Sequence, residues 1–389
     1  MNGGRTQATF PPPVMEARRW LQGVDFKELP LLNVSQAAPV DPPPPPLVAA
    51  MARALTEADT HLYGPVLGLP DLRRQVAADW CVNYGGTVTP DHVGITSGCN
   101  QAFSAAISTL CDEGDQVILP TPFYFNHKMW LDMQGVMAVP LPCSGDMIPD
   151  VAQAAALITD KTRAISLVTP NNPCGVEYPK PVMEAFFDLC ADHGIALIVD
   201  ETYRDFHSEH GAPHSLFQRP DWDQTLIQLY SFSKAYRLTG HRVGAIVTSP
   251  NRMTGVEKFL DTVSVCPNQL GQKAALWGMR HLGPWLADER VEILNRRAAI
   301  EACFPKLADQ GWALLGCGAY FAYVAHPFDM SSADLAPLLV QKASILTLPG
   351  TMFMPKGDQK GAKQLRIAFA NINSDEIAEL FDRLAQFTP

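Results

Sequence analysis

The sequence predicts an α/β fold in which a three-layer large domain, with helices on both faces of a mainly parallel seven-stranded sheet, is joined to a smaller α+β domain. Between residues 93 and 248, strand-like segments that are apolar along their whole length alternate with helical segments. This alternation is typical of parallel sheets that are covered on both faces. The chain of 389 residues is also too long for a single small hydrophobic core, which favours two domains. We expect residues 1–45 to form an N-terminal arm that is part of the small domain. Residues 46–283 are expected to form the large domain, and residues 284–389 the small C-terminal domain.

The composition narrows the classes of function. Hydrophobic residues make up 47% of the chain and charged residues 18%, which is typical of an ordered globular protein. The net charge of −10 argues against nucleic acid or an anionic membrane as the main partner. We find neither a signal peptide nor an apolar run long enough to cross a bilayer, which predicts a cytoplasmic protein. The nine cysteines show neither Cys-x-x-Cys pairs nor zinc-like spacing, so we expect no disulfide framework and no metal.

The first ninety residues predict helices separated by irregular segments. A helix is expected over residues 13–23, and the proline run after Asp41 predicts an extended connector through Pro46, because proline has no backbone donor. Residues 47–59 have a helical apolar pattern. Asp71 is expected to cap a further helix that runs through Trp80.

The central part of the chain predicts the large sheet and its covering helices. Apolar patterns and breaker residues predict these elements in alternation. The expected strands are 93–96, 116–120, 137–139, 164–168, 195–199, 225–230 and 243–248, and the expected helices are 101–110, 124–134, 150–158, 181–193, 252–261 and 271–281.

The last hundred residues have α+β character. A long helix over 284–309, interrupted near Phe304-Pro305, precedes strands at 319–324, 344–348 and 365–369 and a final helix at 374–387. We expect this part to pack with the N-terminal arm as the smaller domain.

Polar or glycine residues follow several predicted strands of the large sheet. Since ligands bind beyond the carboxyl ends of parallel strands, we expect these residues to converge on one edge. Each residue alone has an ordinary structural explanation, whereas their common position is harder to explain without a site. They are Gly98, Asn100, Tyr124, Asn172, Asp200, Tyr203, Ser231, Ser233 and Lys234.

Four motifs carry a resemblance to a known family. They are Asn172-Pro173-x-Gly175, Asp200-x-x-Tyr203, Ser231-x-Ser233-Lys234 followed by Arg242, and Arg366 within Leu-Arg-Ile-Ala-Phe. In this order, over nearly the whole chain, they resemble the aspartate aminotransferase-like class I/II aminotransferases, which are fold type I enzymes dependent on pyridoxal 5′-phosphate. The resemblance implies transfer of an amino group from an L-amino acid to a 2-oxo acid.

The resemblance also implies roles for the residues around the cofactor ring. Lys234 would form the Schiff base with the cofactor and carry the proton to and from the substrate. Asp200 would pair with the ring nitrogen and keep it protonated. Asn172 and Tyr203 would donate to the phenolic oxygen, and Tyr124 would stack on the ring.

Other residues are implied at the cofactor phosphate. Within one chain these are the backbone of Gly98 and Cys99, the Asn100 region at a helix start, Ser231, Ser233 and Arg242. The resemblance adds Tyr63 from a neighbouring subunit, which implies a homodimer with shared active sites.

The expected substrate pocket contains Arg366, Asn172 and Ala37. Arg366 would bind the substrate α-carboxylate, and Ala37 stands where the family often has glycine, which suggests a slightly tighter entrance. The cations that some members use for dicarboxylates are absent, since Asn100 and residues 261–263 occupy those positions. The pocket is therefore expected to prefer neutral, apolar or aromatic amino acids, unless Lys128, His127 or Arg237 turns into it.

Two alternatives remain at this point. A carbon-sulfur β-lyase can use the same cofactor residues, because the bond that breaks depends on the orientation of the substrate. A regulatory binding protein of this fold would need a DNA-binding helix-turn-helix, for which the short N-terminal segment is expected to leave no room.

Overall fold

A computed structural model describes residues 3–389. The fold contains fifteen α-helices and thirteen strands among these residues. The helices are α1 (Pro13–Arg19), α2 (Pro45–Ala54), α3 (Pro70–Tyr84), α4 (Cys99–Leu110), α5 (Phe125–Gln134), α6 (Val151–Leu157), α7 (Lys180–Asp192), α8 (Trp222–Thr225), α9 (Phe232–Ala235), α10 (Pro250–Ser264), α11 (Gln269–His281), α12 (Gly283–Cys303), α13 (Pro305–Ala308), α14 (Ser332–Ala343) and α15 (Ser374–Gln386). The strands are β1 (Leu32–Asn33), β2 (Val93–Thr96), β3 (Gln116–Thr121), β4 (Met137–Pro142), β5 (Thr162–Val168), β6 (Ala196–Asp200), β7 (Leu226–Ser231), β8 (Gly244–Val247), β9 (Ala313–Gly318), β10 (Phe321–Ala325), β11 (Ile345–Leu346), β12 (Leu348–Pro349) and β13 (Gln364–Ala368).

The largest sheet has seven strands in the order β2-β8-β7-β6-β5-β3-β4. All neighbouring strands are parallel except β8, which runs antiparallel to β2 and β7. Successive residues of a strand enter different cores: Leu197 belongs to one buried cluster and Ile198 to another, as expected when both faces are covered. The predicted three-layer fold and mainly parallel seven-stranded sheet are therefore confirmed.

A four-stranded antiparallel sheet, in the order β12-β13-β10-β9, lies in the C-terminal part of the chain. Strand β1 pairs in parallel with β11, so Leu32 lies opposite Ile345. Leu32 and Val34 also share a buried core with C-terminal residues such as Phe369. The N-terminal segment thus packs with the C-terminal part, while the domain boundaries after residues 45 and 283 stay a prediction.

Predicted limits of three helices near the N-terminus were wrong. Helix α1 ends at Arg19 instead of residue 23. Helix α2 already begins at Pro45, because proline is favoured in the first turn, where its missing N–H has no intrahelical acceptor, and it ends at Ala54. Asp71 does not cap α3, which begins one residue earlier, at Pro70.

Two C-terminal elements were missing from the sequence prediction. Strand β9 ends in Gly316, Cys317 and Gly318 and is only partly buried, so it lacks the continuous apolar run of the other strands. Helix α14 contains Pro337, which argues against a helix interior, although its buried face includes Leu335 and Leu339. No helix among residues 3–389 is both long and apolar enough to cross a bilayer.

Candidate active site

A cavity of about 310 Å³ lies at the carboxyl ends of the large sheet and reaches the N-terminal segment and strand β13. Its volume is at the lower end of the range typical of small-molecule sites. All the predicted site residues except Gly98 and Tyr63 line it, namely Ala37, Cys99, Asn100, Tyr124, Asn172, Asp200, Tyr203, Ser231, Ser233, Lys234, Arg242 and Arg366. Gly98 packs against the guanidinium group of Arg242, which lines the cavity. Tyr63 is 84% exposed and lies outside the cavity.

Lys234 lies in the short helix α9, which begins immediately after strand β7. Ser231 caps the start of this helix, and its Oγ accepts a hydrogen bond from the Ser233 backbone N–H at 3.3 Å. The Lys234 Nζ donates to the Ala37 carbonyl oxygen at 2.5 Å. Burial, together with the charges of Arg242 and Arg366, lowers the pKa of Lys234 to about 7. A large fraction of this amine is therefore neutral near pH 7, unlike an ordinary lysine.

Asp200 is the last residue of strand β6 and is buried. Burial raises the pKa of its carboxyl group, but His127 and Thr202 outweigh this effect and hold the pKa below the ordinary value. The Thr202 backbone N–H donates to Asp200 Oδ1 at 2.9 Å. The Nε2 of His127 lies 3.3 Å from Asp200 Oδ2, without a well-aligned hydrogen bond. Asp200 therefore remains a carboxylate at neutral pH.

His127 is held in place by aromatic neighbours. Its ring stacks on Phe103 with 3.8 Å between centroids and meets the edge of Tyr124 at 5.0 Å. The sequence offers His127 as a residue that could turn toward the substrate, and the structure buries it against Asp200.

At one end of the cavity an arginine meets the start of a helix, an arrangement that suits an anion. Gly98 immediately precedes helix α4 and has a φ of +88°, and the first amides of a helix have no intrahelical acceptors. A Cβ at Gly98 would lie 2.3 Å from Arg242 Nη2, and a Cβ at Gly244 would lie 2.8 Å from the Cys99 backbone nitrogen. Arg242 is thus packed against the start of α4, and its Nη1 lies 3.5 Å from Ser233 Oγ.

Arg366, on strand β13, enters the cavity from the C-terminal sheet and is 2% exposed. Its Nη1 donates to Asn172 Oδ1 at 3.0 Å and its Nη2 donates to the Ser35 carbonyl oxygen. Burial lowers the pKa of Arg366 to about 10, although Tyr203 and Tyr124 oppose this shift. The Nε of Arg366 has no acceptor among residues 3–389. A buried guanidinium with a free donor favours an anionic ligand, because an unpaired buried charge is costly.

The aromatic residues of the cavity are fixed by their contacts. Tyr203 is buried between Tyr320 and Phe321, with ring centroids 5.3 and 5.2 Å away. The Tyr124 hydroxyl accepts from Asn126 Nδ2 at 2.9 Å and lies 3.3 Å from Asn100 Oδ1. Both rings are therefore held in position beside Asp200 and Lys234.

A sequence profile described as "Aminotransferase class I and II" matches residues 30–384. The chain belongs to this family. Its relatives include an arginine–pyruvate transaminase of Pseudomonas aeruginosa, 30% identical over 356 residues that cover 88% of this chain and 89% of that protein. A valine–pyruvate aminotransferase of Mycobacterium tuberculosis is 29% identical over 395 residues, 97% of each chain. Among solved structures, an aspartate aminotransferase of Thermus thermophilus with maleate has a TM-score of 0.87 and 23% identity, covering 99% of this chain and 100% of that one.

Family membership makes the chain a transaminase that depends on pyridoxal 5′-phosphate. The cavity fits this cofactor, since it combines an anion-binding end, a buried carboxylate and a lysine of lowered pKa. A side chain at residue 98 or 244 would clash with the atoms around the start of α4, where Arg242 packs, so both positions require glycine. The free Nε donor of Arg366 is a second group in this cavity that suits an anion, besides Arg242 at the start of α4.

Several lining residues of this transaminase were not identified from the sequence. Thr202 and Gln36 adjoin the recognised residues Tyr203 and Ala37, so their neighbours in sequence could have indicated them. Val14 and Asn126 gave no such signal, because a single residue in a helix carries no indication of a cavity. The residues added by the structure are Val14, Gln36, Ala38, Phe125, Asn126, Val168, Thr202 and Thr239.

Proposed function

We propose that this transaminase transfers the amino group of a neutral L-amino acid, apolar or aromatic, to a 2-oxo acid with Lys234 as the proton-transferring residue. The observation that carries the proposal is the lysine itself. A lysine with a pKa of about 7 shares one cavity with the buried carboxylate of Asp200 and the buried guanidinium of Arg366. A general base works best when its pKa lies near the working pH.

Arg366 would bind the α-carboxylate of the substrate and so fix the position of its Cα. The planar guanidinium suits a bidentate carboxylate pair, and Asn172, which already accepts from Arg366 Nη1 at 3.0 Å, would hold it in orientation. The neutral amine of Lys234 would then accept the proton from Cα and return it during the reaction. Bound pyridoxal phosphate supplies the electron sink for this proton transfer.

The other residues would hold and tune the cofactor. Asp200 would keep a proton on the ring nitrogen, because a nearby anion favours the charged form. Asn172 and Tyr203 would donate to the phenolic oxygen, and Tyr124 would stack on the ring. The phosphate would bind where Arg242 meets the start of helix α4, with donors from Gly98, Cys99, Asn100, Ser231 and Ser233.

The surroundings of three nearby basic residues support a neutral amino donor. Lys128 pairs with Asp132, His127 with Asp200 at 3.3 Å, and Arg237 with Glu289 at 2.8 Å. None of the three lines the cavity. Ala37, whose carbonyl accepts from Lys234, would narrow the entrance, and Val14 and Phe125 give it apolar walls.

A half-reaction panel tests the proposed function. Purified enzyme with bound cofactor is mixed with single amino acids, and conversion to the pyridoxamine form is followed by absorbance. We expect the highest kcat/KM for a neutral apolar or aromatic amino acid. A highest value for aspartate would contradict the substrate assignment, and conversion by no amino acid would contradict the transaminase reaction. The β-lyase alternative, which the aminotransferase relatives do not favour, would release pyruvate and ammonia from cystathionine without a 2-oxo acid.

We also propose that two chains form a homodimer with shared sites. Tyr63 lies outside its own cavity and belongs to an exposed apolar patch of Leu62, Tyr63, Val263 and Val265, with exposures of 65%, 84%, 57% and 41%. The Gly64 N–H donates to Cys266 Sγ at 3.4 Å, which ties the two halves of this patch together. Large exposed apolar patches favour protein contacts, and a second copy would bring its Tyr63 to the phosphate. The cytoplasmic location stays a prediction, which cell fractionation would check.

Tyr63→Phe tests the shared site. We expect the protein to remain dimeric by light scattering while its Kd for pyridoxal phosphate rises about tenfold, the cost of one hydrogen bond to a charged group. A hybrid dimer combines one Tyr63→Phe chain with one Lys234→Ala chain. One of its two sites then has Lys234 from the first chain and Tyr63 from the second, so this site should regain normal affinity. A monomeric enzyme with full activity would contradict the proposal, as would hybrids that regain no affinity.

A further inference from the structure

One arginine side chain links three segments of the chain close to Lys234. Arg237 follows Lys234 by three residues and forms a two-pronged pair with Glu289 of helix α12. Its Nε donates to Glu289 Oε2 at 2.9 Å and its Nη2 donates to Oε1 at 2.8 Å. The remaining nitrogen, Nη1, donates to the Pro42 carbonyl oxygen at 3.4 Å and lies 3.4 Å from Asp41 Oδ2. Arg237 thus joins the loop after Lys234 to α12 and to the N-terminal segment.

The backbone of Arg237 has a conformation that favours glycine. Its φ is +54°, in the left-handed region, where a residue with a Cβ is strained. Such strain persists only when the surrounding contacts hold the residue in place. The pair with Glu289 is mostly buried, with side-chain exposures of 19% and 23%, and the guanidinium lies 5.5 Å from the ring of Trp285. These side-chain contacts offset the strain at a position where glycine would relax the backbone.

Residues 37–43, which we call the strap, run from the wall of the cavity to the atoms that Arg237 contacts. Ala37 and Ala38 line the cavity at the beginning of the strap. Beyond Ala38, the contacts with Arg237 are the only hydrogen bond and ion pair that residues 39–43 form within the described part of the chain, residues 3–389. The side chain of Arg237 therefore holds the far end of the strap.

The strap bears on the reaction because its first residues contact the groups that the proposed function uses. The Ala37 carbonyl accepts from Lys234 Nζ, and Ala37 and Ala38 form a wall of small side chains in the cavity that also contains Arg366. A strap that is fixed at its far end keeps this wall in one place, whereas a free strap would retreat from a bulky substrate. Arg237 itself lies outside the cavity, so it acts through the strap.

We propose that Arg237 is a positioning residue that limits the size of the amino acid accepted by the cavity, because it fixes the strap between Glu289 and Lys234. The inference rests on the proposed function, since it takes the cavity as the substrate site. A small side chain gains contacts from a wall that stays close, whereas a bulky side chain has to displace that wall. Arg237 thus favours smaller neutral substrates without contacting them.

Arg237→Gly in the holoenzyme tests the inference. Glycine suits the left-handed backbone, so the variant should fold with nearly the same melting temperature while it loses every contact of the side chain. A nonspecific protease should cut the strap about fivefold faster or more, because cleavage follows the population of the open segment. Half-reactions should show a rise of about fivefold in the ratio of kcat/KM for the bulkiest to that for the smallest neutral amino acid that the wild-type enzyme converts.

Two further variants separate the strap from the fold. Lysine can pair with Glu289 but lacks the fork that also reaches Pro42, so Arg237→Lys should give intermediate values of both quantities. Arg290, adjacent to Glu289, is the matched control, because it donates to the carbonyl oxygens of His207 and Ser208 at 2.7 and 2.8 Å. Arg290→Met should change neither the cleavage of the strap nor the ratio of kcat/KM values.

Each contrary outcome is distinct. Unchanged cleavage of the strap in Arg237→Gly would overturn the inference, and so would faster cleavage with an unchanged ratio of kcat/KM values. Equal changes in Arg237→Gly and Arg290→Met would assign the effect to helix α12 as a whole and would also overturn it. Failure of the proposed function has another signature, namely that the wild-type enzyme converts no amino acid of any size.

Discussion

Lys234→Ala is expected to abolish transamination while the protein still binds pyridoxal phosphate. The amine would both hold the cofactor covalently and move the substrate proton, and alanine provides neither function. General acid–base catalysis alone contributes up to about 10⁴-fold, so we expect kcat to fall by at least that factor. The anion-binding end around Arg242 and helix α4 does not include the Lys234 side chain, so cofactor binding should persist.

The measurement combines cofactor binding, absorbance and turnover. Lys234→Ala should lose the cofactor faster than wild type during dialysis. It should also lack the absorbance of the lysine-linked cofactor and show no measurable half-reaction. Lys128→Ala is the matched control, because Lys128 lies in helix α5 near the site but pairs with Asp132. Substantial transaminase activity in Lys234→Ala, or an equal loss in Lys128→Ala, would remove Lys234 from the reaction.

The large sheet could be predicted from the sequence because its strands are buried on both faces. Such strands are continuous apolar runs, and all seven were recognised. Their order and the antiparallel direction of β8 were not, because strand pairing depends on contacts between segments far apart in the chain. Strand β9 and helix α14 were missed for the opposite reason, since Gly316 and Pro337 break the local patterns that identify a strand or helix.

The motif residues of the candidate site could also be identified, because they follow strand ends at fixed spacings. His127 could not be assigned in this way. It reaches Asp200, which is distant in the sequence, and it belongs to helix α5, whose pattern reports only which face is buried. The position of Arg366, in contrast, followed from its motif, although its free Nε required the structure.

Asp200→Asn is expected to cause the second large loss of activity. Asparagine has nearly the same shape and can still accept from the Thr202 N–H, so the change removes a charge with little change in packing. Two unit charges 4 Å apart interact by about 4 kcal/mol at an effective dielectric constant of 20. Loss of that interaction with a protonated ring nitrogen corresponds to about a thousandfold in kcat/KM.

Steady-state kinetics with saturating cofactor measure the effect, and a second carboxylate provides the control. Asp205 lies near Asp200 in sequence, but its Oδ2 accepts from the Tyr230 hydroxyl at 2.7 Å and it does not line the cavity. Asp205→Asn should therefore alter stability more than kcat/KM. If Asp200→Asn kept more than about a tenth of wild-type activity, the carboxylate would not be tuning the cofactor. Equal losses in both variants would indicate that the fold, and not the charge beside the ring, had been disturbed.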